Sequence, residues 1–143
     1  MSVTQTVHVA ASPEKAFAYV EDLARHVEWQ ADLRAVEILT EGHTSEGTRA
    51  VETRRVAGRT MTNEYEITEH RPPERIAFKT VNGAIRPDGV VTFEPEGDGT
   101  RVSFELTLRG VGLARLLVPL ISLDARRGVR RDLAALAAAL AAA

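Results

Sequence analysis

The chain has 143 residues, of which 44% are hydrophobic and 27% charged, a balance typical of a globular domain of common size. It contains no cysteine, which excludes disulfides, thiolate nucleophiles, iron–sulfur clusters and thiolate zinc sites. The formal net charge of −2 gives no general attraction to nucleic acid or to anionic membranes, so any partner must be argued from local features.

The N-terminal segment and the apolar runs bear on where the protein is located. Residues 1–8 contain neither a cationic leader nor an apolar core, which argues against a secretory signal. No apolar run approaches the roughly 18–20 residues that cross a bilayer. We therefore expect one cytoplasmic domain over residues 1–143, with no membrane span.

The first part of the chain predicts a strand followed by two short helices. Apolar and polar residues alternate over residues 3–10, which is the period of a half-buried strand. Ser12 then precedes Pro13, an N-cap residue followed by a residue suited to the first helical turn, so a helix is expected over about 13–22. A second short helix is expected over 24–29.

The middle of the chain predicts further strands, because the period of the apolar residues returns to two. These strands are expected around 36–38, 48–56, 61–68, 76–80, 89–93 and 102–108. Turn-forming residues separate several of them, at Glu41-Gly42, Glu46-Gly47, Ala57-Gly58, Pro72-Pro73 and Gly97-Asp98-Gly99. The short connections indicate antiparallel neighbours throughout.

A helical pattern occupies the last part of the chain, with Leu133, Leu136 and Leu140 on one face. Proline inside a helix removes a hydrogen bond and collides with the preceding turn. Because of Pro119, we expect a kink or a new helix start near residues 115–120.

Three segments of the chain have a recognisable sequence: residues 7–17 (VHVAASPEKAF), 66–76 (EITEHRPPERI) and 91–102 (VTFEPEGDGTRV). Together with Trp29 and Asp132-Leu133, they resemble the START-like, or SRPBCC, superfamily, which includes lipid-transfer proteins and bacterial polyketide cyclases. The resemblance implies an α+β helix-grip fold. In this fold a curved antiparallel sheet of about seven strands wraps around a long C-terminal helix, with two short helices between the first two strands.

The same resemblance implies two functions. The first is binding of a small hydrophobic molecule, of lipid, polyketide or isoprenoid type, in an internal cavity. The alternative is an enzyme, a polyketide cyclase or dehydrase that acts on a bound polyketide chain. A third possibility, a structural or regulatory partner with a collapsed cavity, predicts that no pocket of ligand size exists.

A cavity is also expected on physical grounds, because a strongly bent sheet cannot be filled by one helix about 10 Å across. Strand parity and helix placement predict its ligand-binding residues: Trp29, Met61, Asn63, Tyr65, Phe78, Val91, Phe93, Phe104, Leu113, Leu116, Leu117 and Leu120. Gly89 and Leu106 share the inward parity. A mostly apolar lining is typical of a small-molecule pocket, although such residues also form ordinary core.

Three polar residues near this cavity are candidates for catalysis. The inward amide of Asn63 needs a hydrogen-bond partner, which a ligand, a water or the protein could supply. Tyr65 could donate its hydroxyl to a carbonyl, as a cyclase requires, or bond to a structural partner. His26 is a candidate acid or base, or else a surface histidine.

The remaining charged residues predict partners rather than cofactors. No histidines have metal-ligand spacing, and neither a metal nor a cofactor is expected. A basic cluster in the C-terminal helix is interpreted either as a solvated face or as a docking patch for an acidic carrier protein; it consists of Arg126, Arg127, Arg130 and Arg131.

Two questions about charged side chains involve single positions. Asp124 precedes the basic cluster and is expected to form an ion pair with Arg127 or Arg131. In the third strand, arginines occur on both parities, so the sequence leaves open which of Arg49, Arg54 and Arg55 faces the cavity.

Overall fold

The computed structural model describes residues 1–56 and 58–142, which run from an N-terminal strand to a long C-terminal helix. The strands are β1 (Ser2–Val9), β2 (Leu33–Ile38), β3 (Arg49–Val56), β4 (Arg59–Arg71), β5 (Arg75–Thr80), β6 (Ile85–Glu96) and β7 (Gly99–Gly110). The helices are α1 (Pro13–Glu21), the 3₁₀ helices η1 (Leu23–Glu28) and η2 (Gly112–Leu117), and α2 (Val118–Ala142).

The seven strands form a curved antiparallel sheet in the order β1-β7-β6-β5-β4-β3-β2. Strands β2 to β7 are neighbours in sequence order, whereas β1 pairs with β7, so that Val3 lies opposite Leu106. The segment containing α1 and η1 therefore connects the two edges of the sheet. Irregular register beside Leu33 and Ile67 is typical of bulges, which bend strands. The helix-grip prediction is confirmed.

The sequence signals at the start of α1 have the predicted effect. The side chain of Ser12 accepts a hydrogen bond from the backbone N–H of Lys15 at 3.2 Å, and Pro13 occupies the first turn. Phe17 is buried on the inner face of α1 and meets the Phe93 ring edge-on, with 5.2 Å between the centroids. The two helices between β1 and β2, α1 and η1, begin and end within one residue of their predicted bounds.

The predicted turns also correspond to strand ends. Strand β4 ends at Arg71, directly before Pro72-Pro73, whose peptide bond is cis. Gly97 connects β6 to β7 with a φ of 57°, a conformation that glycine adopts at little steric cost. In the predicted turn at Ala57-Gly58, Ala57 lies outside the described residues, and Gly58 adopts a φ of 76°.

The predicted new helix start near residues 115–120 is confirmed, since η2 ends at Leu117 and α2 begins at Val118. Pro119 occupies the first turn of α2, where its missing N–H loses no intrahelical bond. From there a single stripe faces the sheet at spacings of three and four residues: Val118, Ser122, Ala125, Val129, Leu133, Leu136 and Leu140. Helix α2 packs mainly against β1 and β7.

The segment before this stripe corrects one prediction. Leu113, Leu116, Leu117 and Leu120 were expected to face the cavity, but they are 84%, 73%, 53% and 69% exposed. The phase of α2 is set by its buried leucines near the C-terminus, and that phase directs Val118 inward and Leu120 outward. Leu113, Leu116 and Leu117 belong to the separate helix η2, none of whose residues is buried.

Candidate functional site

The inner face of the sheet and the first half of α2 enclose a cavity of about 490 Å³. In its first half, α2 presents small side chains to the sheet, including Ala125 and Gly128, whereas its second half presents Leu133, Leu136 and Leu140. The leucines fill the space at one end, and the small residues leave it open at the other. A volume of this size lies within the range of small-molecule sites.

Aromatic and aliphatic side chains from β4 to β7 form the apolar wall of the cavity. They are Met61, Phe78, Ile85, Phe104, Leu106 and Leu108. The Phe78 ring lies 5.5 Å from that of Tyr65 and 6.4 Å from that of Phe104, measured between centroids. It occupies the space over Gly89, its cross-strand neighbour, where a Cβ atom would come within 2.3 Å of the ring.

The polar part of the cavity is built around Arg54, which answers the question that the sequence left open. Its guanidinium donates from Nε to Glu52 Oε1 at 2.8 Å and from Nη2 to Glu52 Oε2 at 3.2 Å. It also donates to the side-chain oxygen of Gln30. By contrast, Arg49 forms ion pairs with two glutamates of β4, and Arg55 is exposed.

The Glu52 carboxylate stabilises the positive charge of Arg54. Burial of the Arg54 guanidinium opposes its positive charge, but the neighbouring Glu52 carboxylate reverses that effect and raises the pKa of Arg54. The cavity therefore contains a permanent cation whose charge is balanced by one acid. Removing either partner would leave the other charge buried without compensation.

Two hydrogen-bond donors beside this pair have no partner among the described residues, namely Trp29 Nε1 and the Tyr65 hydroxyl. Both side chains are buried, and both line a recess of about 60 Å³ that shares Gln30, Glu52 and Arg54 with the main cavity. An unmade hydrogen bond of this kind costs about 1–3 kcal/mol. A ligand oxygen placed in the recess would remove that penalty.

Tyr65 is a donor over the whole neutral range. Burial raises the pKa of its hydroxyl, and the negative charge of Glu52 raises it further. The phenol therefore stays protonated beside the Arg54 cation. A protonated phenol next to a permanent cation is suited to binding an oxygen atom that is partly negative.

His26 lines the same recess and packs against Trp29. Its Nε2 lies 2.7 Å from the Val20 carbonyl, so this nitrogen must carry the proton, and its ring meets Trp29 edge-on at 5.3 Å. Burial lowers the pKa of His26, although the bond to Val20 opposes this. The ring is therefore neutral near pH 7, with only Nδ1 left for any proton transfer.

Asn63 lines the main cavity, and the protein supplies partners for its amide nitrogen. Its Nδ2 donates to the carbonyl oxygens of Asn82 at 3.1 Å and Ile85 at 3.5 Å. Gly83 lies directly against this amide, since a Cβ atom there would come within 2.5 Å of Nδ2. The side chain thus anchors the connection between β5 and β6.

The other sequence-predicted residues lie in three different places. Trp29, Met61, Phe78 and Phe104 line the main cavity. Tyr65 and Val91 line the recess, while Phe93 packs in the core against Phe17 and lines neither space. The four leucines at 113, 116, 117 and 120 lie outside, as described above.

Charged residues of α2 and of the loop after η1 form a rim beside the cavity. Arg131 Nη2 lies 3.2 Å from Asp32 Oδ2, and its Nε lies 3.3 Å from Asp132 Oδ1. Asp132 also accepts from the Ala31 backbone at 3.3 Å, and its burial raises its pKa. The ion pair expected for Asp124 is absent from the described residues, because Arg131 is taken by the two other aspartates.

Sequence reasoning missed Gln30 and Glu52 and left Arg54 undecided. The signal that could have found Glu52 and Arg54 is strand register. They lie opposite Asn63 and Met61 in β4, and residues directly opposite in a sheet point to the same face. Assigning the inward parity of β4 and pairing it with β3 would have placed both charges in the cavity.

In the part of the chain that the structure describes, no group of three or more His, Asp or Glu side chains lies close enough together to hold a metal ion. None of the helices within residues 1–56 and 58–142 combines the length and the hydropathy needed to cross a bilayer.

The sheet that grips a terminal helix around an internal cavity defines a class of ligand-binding folds. The chain belongs to the family described as polyketide cyclase / dehydrase and lipid transport, which it matches over residues 1–143. A search of curated proteins gives no match.

Solved structures with similar folds cover nearly the whole chain. A protein of Thermus thermophilus is 23% identical with a TM-score of 0.85, covering 99% of this chain and 98% of its own. A START superfamily protein of Mycobacterium smegmatis is 17% identical with a TM-score of 0.83, covering 97% and 96%. The Zhui aromatase/cyclase of a Streptomyces species is 18% identical with a TM-score of 0.81, covering 98% and 93%.

Proposed function

We propose that this chain acts as one ligand-binding domain for a small, hydrophobic molecule that carries at least one oxygen atom. The observation that supports this proposal is the cavity of about 490 Å³ with apolar walls, the charged pair at Arg54 and an adjoining recess. In that recess the Trp29 and Tyr65 donors have no partner among the described residues. The size fits lipid, polyketide and isoprenoid ligands, and the recess fits a carbonyl, phenol or hydroxyl at one end of them.

Affinity should come from two separate sources. Moving an apolar ligand from water onto the walls around Phe78 and Phe104 contributes about 25 cal/mol per Å² of buried apolar surface. A ligand oxygen in the recess then satisfies donors that are otherwise left without a partner, which discriminates strongly between oxygenated and plain hydrocarbon ligands. The collapsed-cavity alternative predicted no pocket of ligand size, and the cavity argues against it.

A fluorescence titration tests this proposal, because Trp29 is the single tryptophan of the chain and lines the recess. The probes are 1,8-dihydroxyanthraquinone and anthracene, which share a three-ring shape and differ in oxygen. We expect the quinone to quench Trp29 and the Tyr65→Phe variant to bind it about fivefold to tenfold more weakly. Anthracene should bind both proteins equally, and failure of both probes to bind would contradict the proposal.

A second candidate function, cyclisation or dehydration of a bound polyketide, is supported by the Tyr65 hydroxyl beside the Arg54 cation. Both groups can hydrogen-bond a carbonyl oxygen and stabilise the negative charge that develops there as an enolate forms. The name of the Streptomyces neighbour, an aromatase/cyclase, points to the same chemistry. Under this hypothesis Tyr65→Phe lowers the turnover of a poly-β-ketone chain, and undiminished turnover removes this tyrosine from the mechanism.

The carrier-protein hypothesis concerns the basic cluster at the front of α2. Arg126, Arg127 and Arg130 are exposed, whereas Arg131 is engaged by Asp32 and Asp132. If an acidic carrier docks here, the first three residues are the ones available to it. This partner stays a prediction.

A further inference from the structure

The surface of this protein carries a group of exposed leucines that do not line the cavity. It consists of Leu113, Leu116, Leu117, Leu120 and Leu123, which are 84%, 73%, 53%, 69% and 68% exposed, and we call it the leucine ridge. The first three lie in η2, and the last two lie in the first two turns of α2. Large apolar side chains exposed together along one short segment mark a candidate interaction site.

Four arginines occur in the same segment as the leucine ridge or in the next two turns of α2. Arg115, Arg126, Arg127 and Arg130 are exposed, and none of them forms an ion pair within residues 1–56 and 58–142. Asp124 is also unpaired there, and Asp132 is engaged by Arg131. The chain as a whole carries a net charge of −2, so this positive region stands out locally against an acidic molecule.

The leucine ridge and the cavity lie on different faces of α2. Leu120 and Leu123 face solvent from α2, while Ile121, Ala125 and Gly128 of the same helix line the cavity. The leucine ridge therefore faces away from the cavity.

Self-association is the less favoured occupant. A second copy placed ridge to ridge would bring two sets of four unpaired arginines together, with a single Asp124 from each copy to offset them. Like charges in such an interface oppose association. A partner that offers an apolar layer beneath anionic surface groups complements the leucines and the arginines, and it avoids the repulsion between like charges.

We propose that the leucine ridge docks on the surface of an anionic lipid bilayer. The leucines enter the boundary between head groups and acyl chains, and the four arginines contact lipid phosphates. This docking does not rest on the proposed function, so the two proposals can fail separately.

Vesicle co-sedimentation of the full chain tests the docking without any cavity ligand. The probes are vesicles of phosphatidylcholine alone and of phosphatidylcholine mixed with phosphatidylserine. We expect binding to the anionic vesicles that is at least about tenfold stronger than to the neutral ones and that weakens as salt is raised. No binding to either vesicle, or equal binding to both, would overturn the proposal.

Two variants separate the apolar and the cationic parts of the site. The double substitution Leu116→Asp with Leu120→Asp should reduce anionic-vesicle binding at least about tenfold, because it places charge where apolar contact is required. Arg126→Gln with Arg130→Gln should reduce it by about tenfold or more while preserving the fold, since each arginine near an anionic surface contributes about fivefold. Circular dichroism establishes that both variants remain folded, as expected for exposed positions.

A matched control uses an exposed leucine and arginine elsewhere on the molecule. Leu39→Asp with Arg34→Gln changes β2 and the residue after it, far along the chain from the leucine ridge, and should leave vesicle binding unchanged. Equal loss in this control would show that net charge alone governs binding and would overturn the site. Light scattering that finds a dimer dissociated by the Leu116 and Leu120 substitutions, without vesicle binding, would assign the leucine ridge to self-association instead.

Discussion

The buried ion pair of Glu52 and Arg54 is the main electrostatic feature at the scale of single residues. Both charges come from alternate positions of one strand, so they point to the same side and meet at 2.8 Å. Arg54 is further held by Gln30, a buried residue that follows η1. The pair fixes the polar part of the cavity to the strand itself.

Removing one member of this pair should destabilise the protein more than removing both. We expect Arg54→Gln to lower the free energy of unfolding by about 3 kcal/mol, because the buried Glu52 side chain then loses its ion-pair partner. Adding Glu52→Gln should restore most of that loss. Urea unfolding of the two single variants and the double variant measures the coupling directly.

An exposed ion pair provides the comparison for these single and double variants. The same analysis of Arg25 and Glu28, which form an ion pair on η1 with side chains about half exposed, should give a much smaller coupling than the buried pair, because solvent screens the exposed charges. Equal coupling at the two sites would mean that Glu52 and Arg54 are solvated in solution.

At the scale of elements, α2 combines two segments of different composition. Its second half is rich in alanine and leucine and packs closely, while Gly128 interrupts the first half with the least favourable ordinary residue for a helix interior. A Cβ atom at this position would meet only Arg131 Nη2, at 3.8 Å. Steric contact therefore does not explain why glycine stands here.

The substitution Gly128→Ala should raise the free energy of unfolding by about 0.5–1 kcal/mol, because alanine restricts the unfolded chain and favours the helix. The added methyl group enters the cavity, so binding of 1,8-dihydroxyanthraquinone should weaken or stay equal, not improve. Ala125→Gly, at another lining position of the same helix, should change stability by a similar amount in the opposite direction. Thermal and urea unfolding report both effects, and destabilisation by Gly128→Ala would contradict the open space seen beside it.

At the scale of the whole molecule, the stability of the protein should respond to pH through His26. Burial lowers the pKa of this histidine from its ordinary value of 6.5, so the unfolded chain binds the proton more readily than the folded chain. The free energy of unfolding should therefore decrease as the pH falls below about 6.5. The lowered pKa values of Glu28, Glu69 and Glu96 act only below their ordinary value of 4.5.

Urea unfolding between pH 7 and about pH 5 measures this contribution. The His26→Gln variant keeps a neutral N–H donor near the Val20 carbonyl and should lose the pH dependence in this window. The control His43→Gln, at an exposed histidine, should retain it. Burial raises the pKa of Asp132, so its contribution to the free energy of unfolding decreases as the pH rises above its ordinary pKa of 3.8, which is opposite to the effect of His26. A flat profile for the unmodified protein would exclude His26 as the source.

The sequence predicted the fold well, because local signals determine each element independently. The N-cap at Ser12 and the proline at 119 each fix an element boundary through backbone chemistry that needs no tertiary information. The alternation in β4 likewise shows which of its residues face inward, and Met61, Asn63 and Tyr65 do so.

The site was predicted less completely, because it depends on how distant segments come together. Whether Arg54 or Arg55 faces inward depends on the pairing of β3 with β4, which the sequence of β3 alone does not reveal. The orientation of Leu120 depends on the helical phase imposed by leucines near the C-terminus, and Leu113, Leu116 and Leu117 lie in a separate 3₁₀ helix. Gln30 joins the site only because the loop after η1 meets Arg54 in space.

The division of α2 into a small-residue half and a leucine half separates two properties that most small domains combine. Stability is carried largely by the bulky residues near the chain end, and ligand capacity by the slender ones before them. Relatives of this protein could therefore acquire larger or smaller ligands through substitutions at two or three slender positions, without weakening the contacts that hold the helix against the sheet. Evolution of ligand preference in such a molecule would proceed by adjusting side-chain size along one turn or two of a single helix.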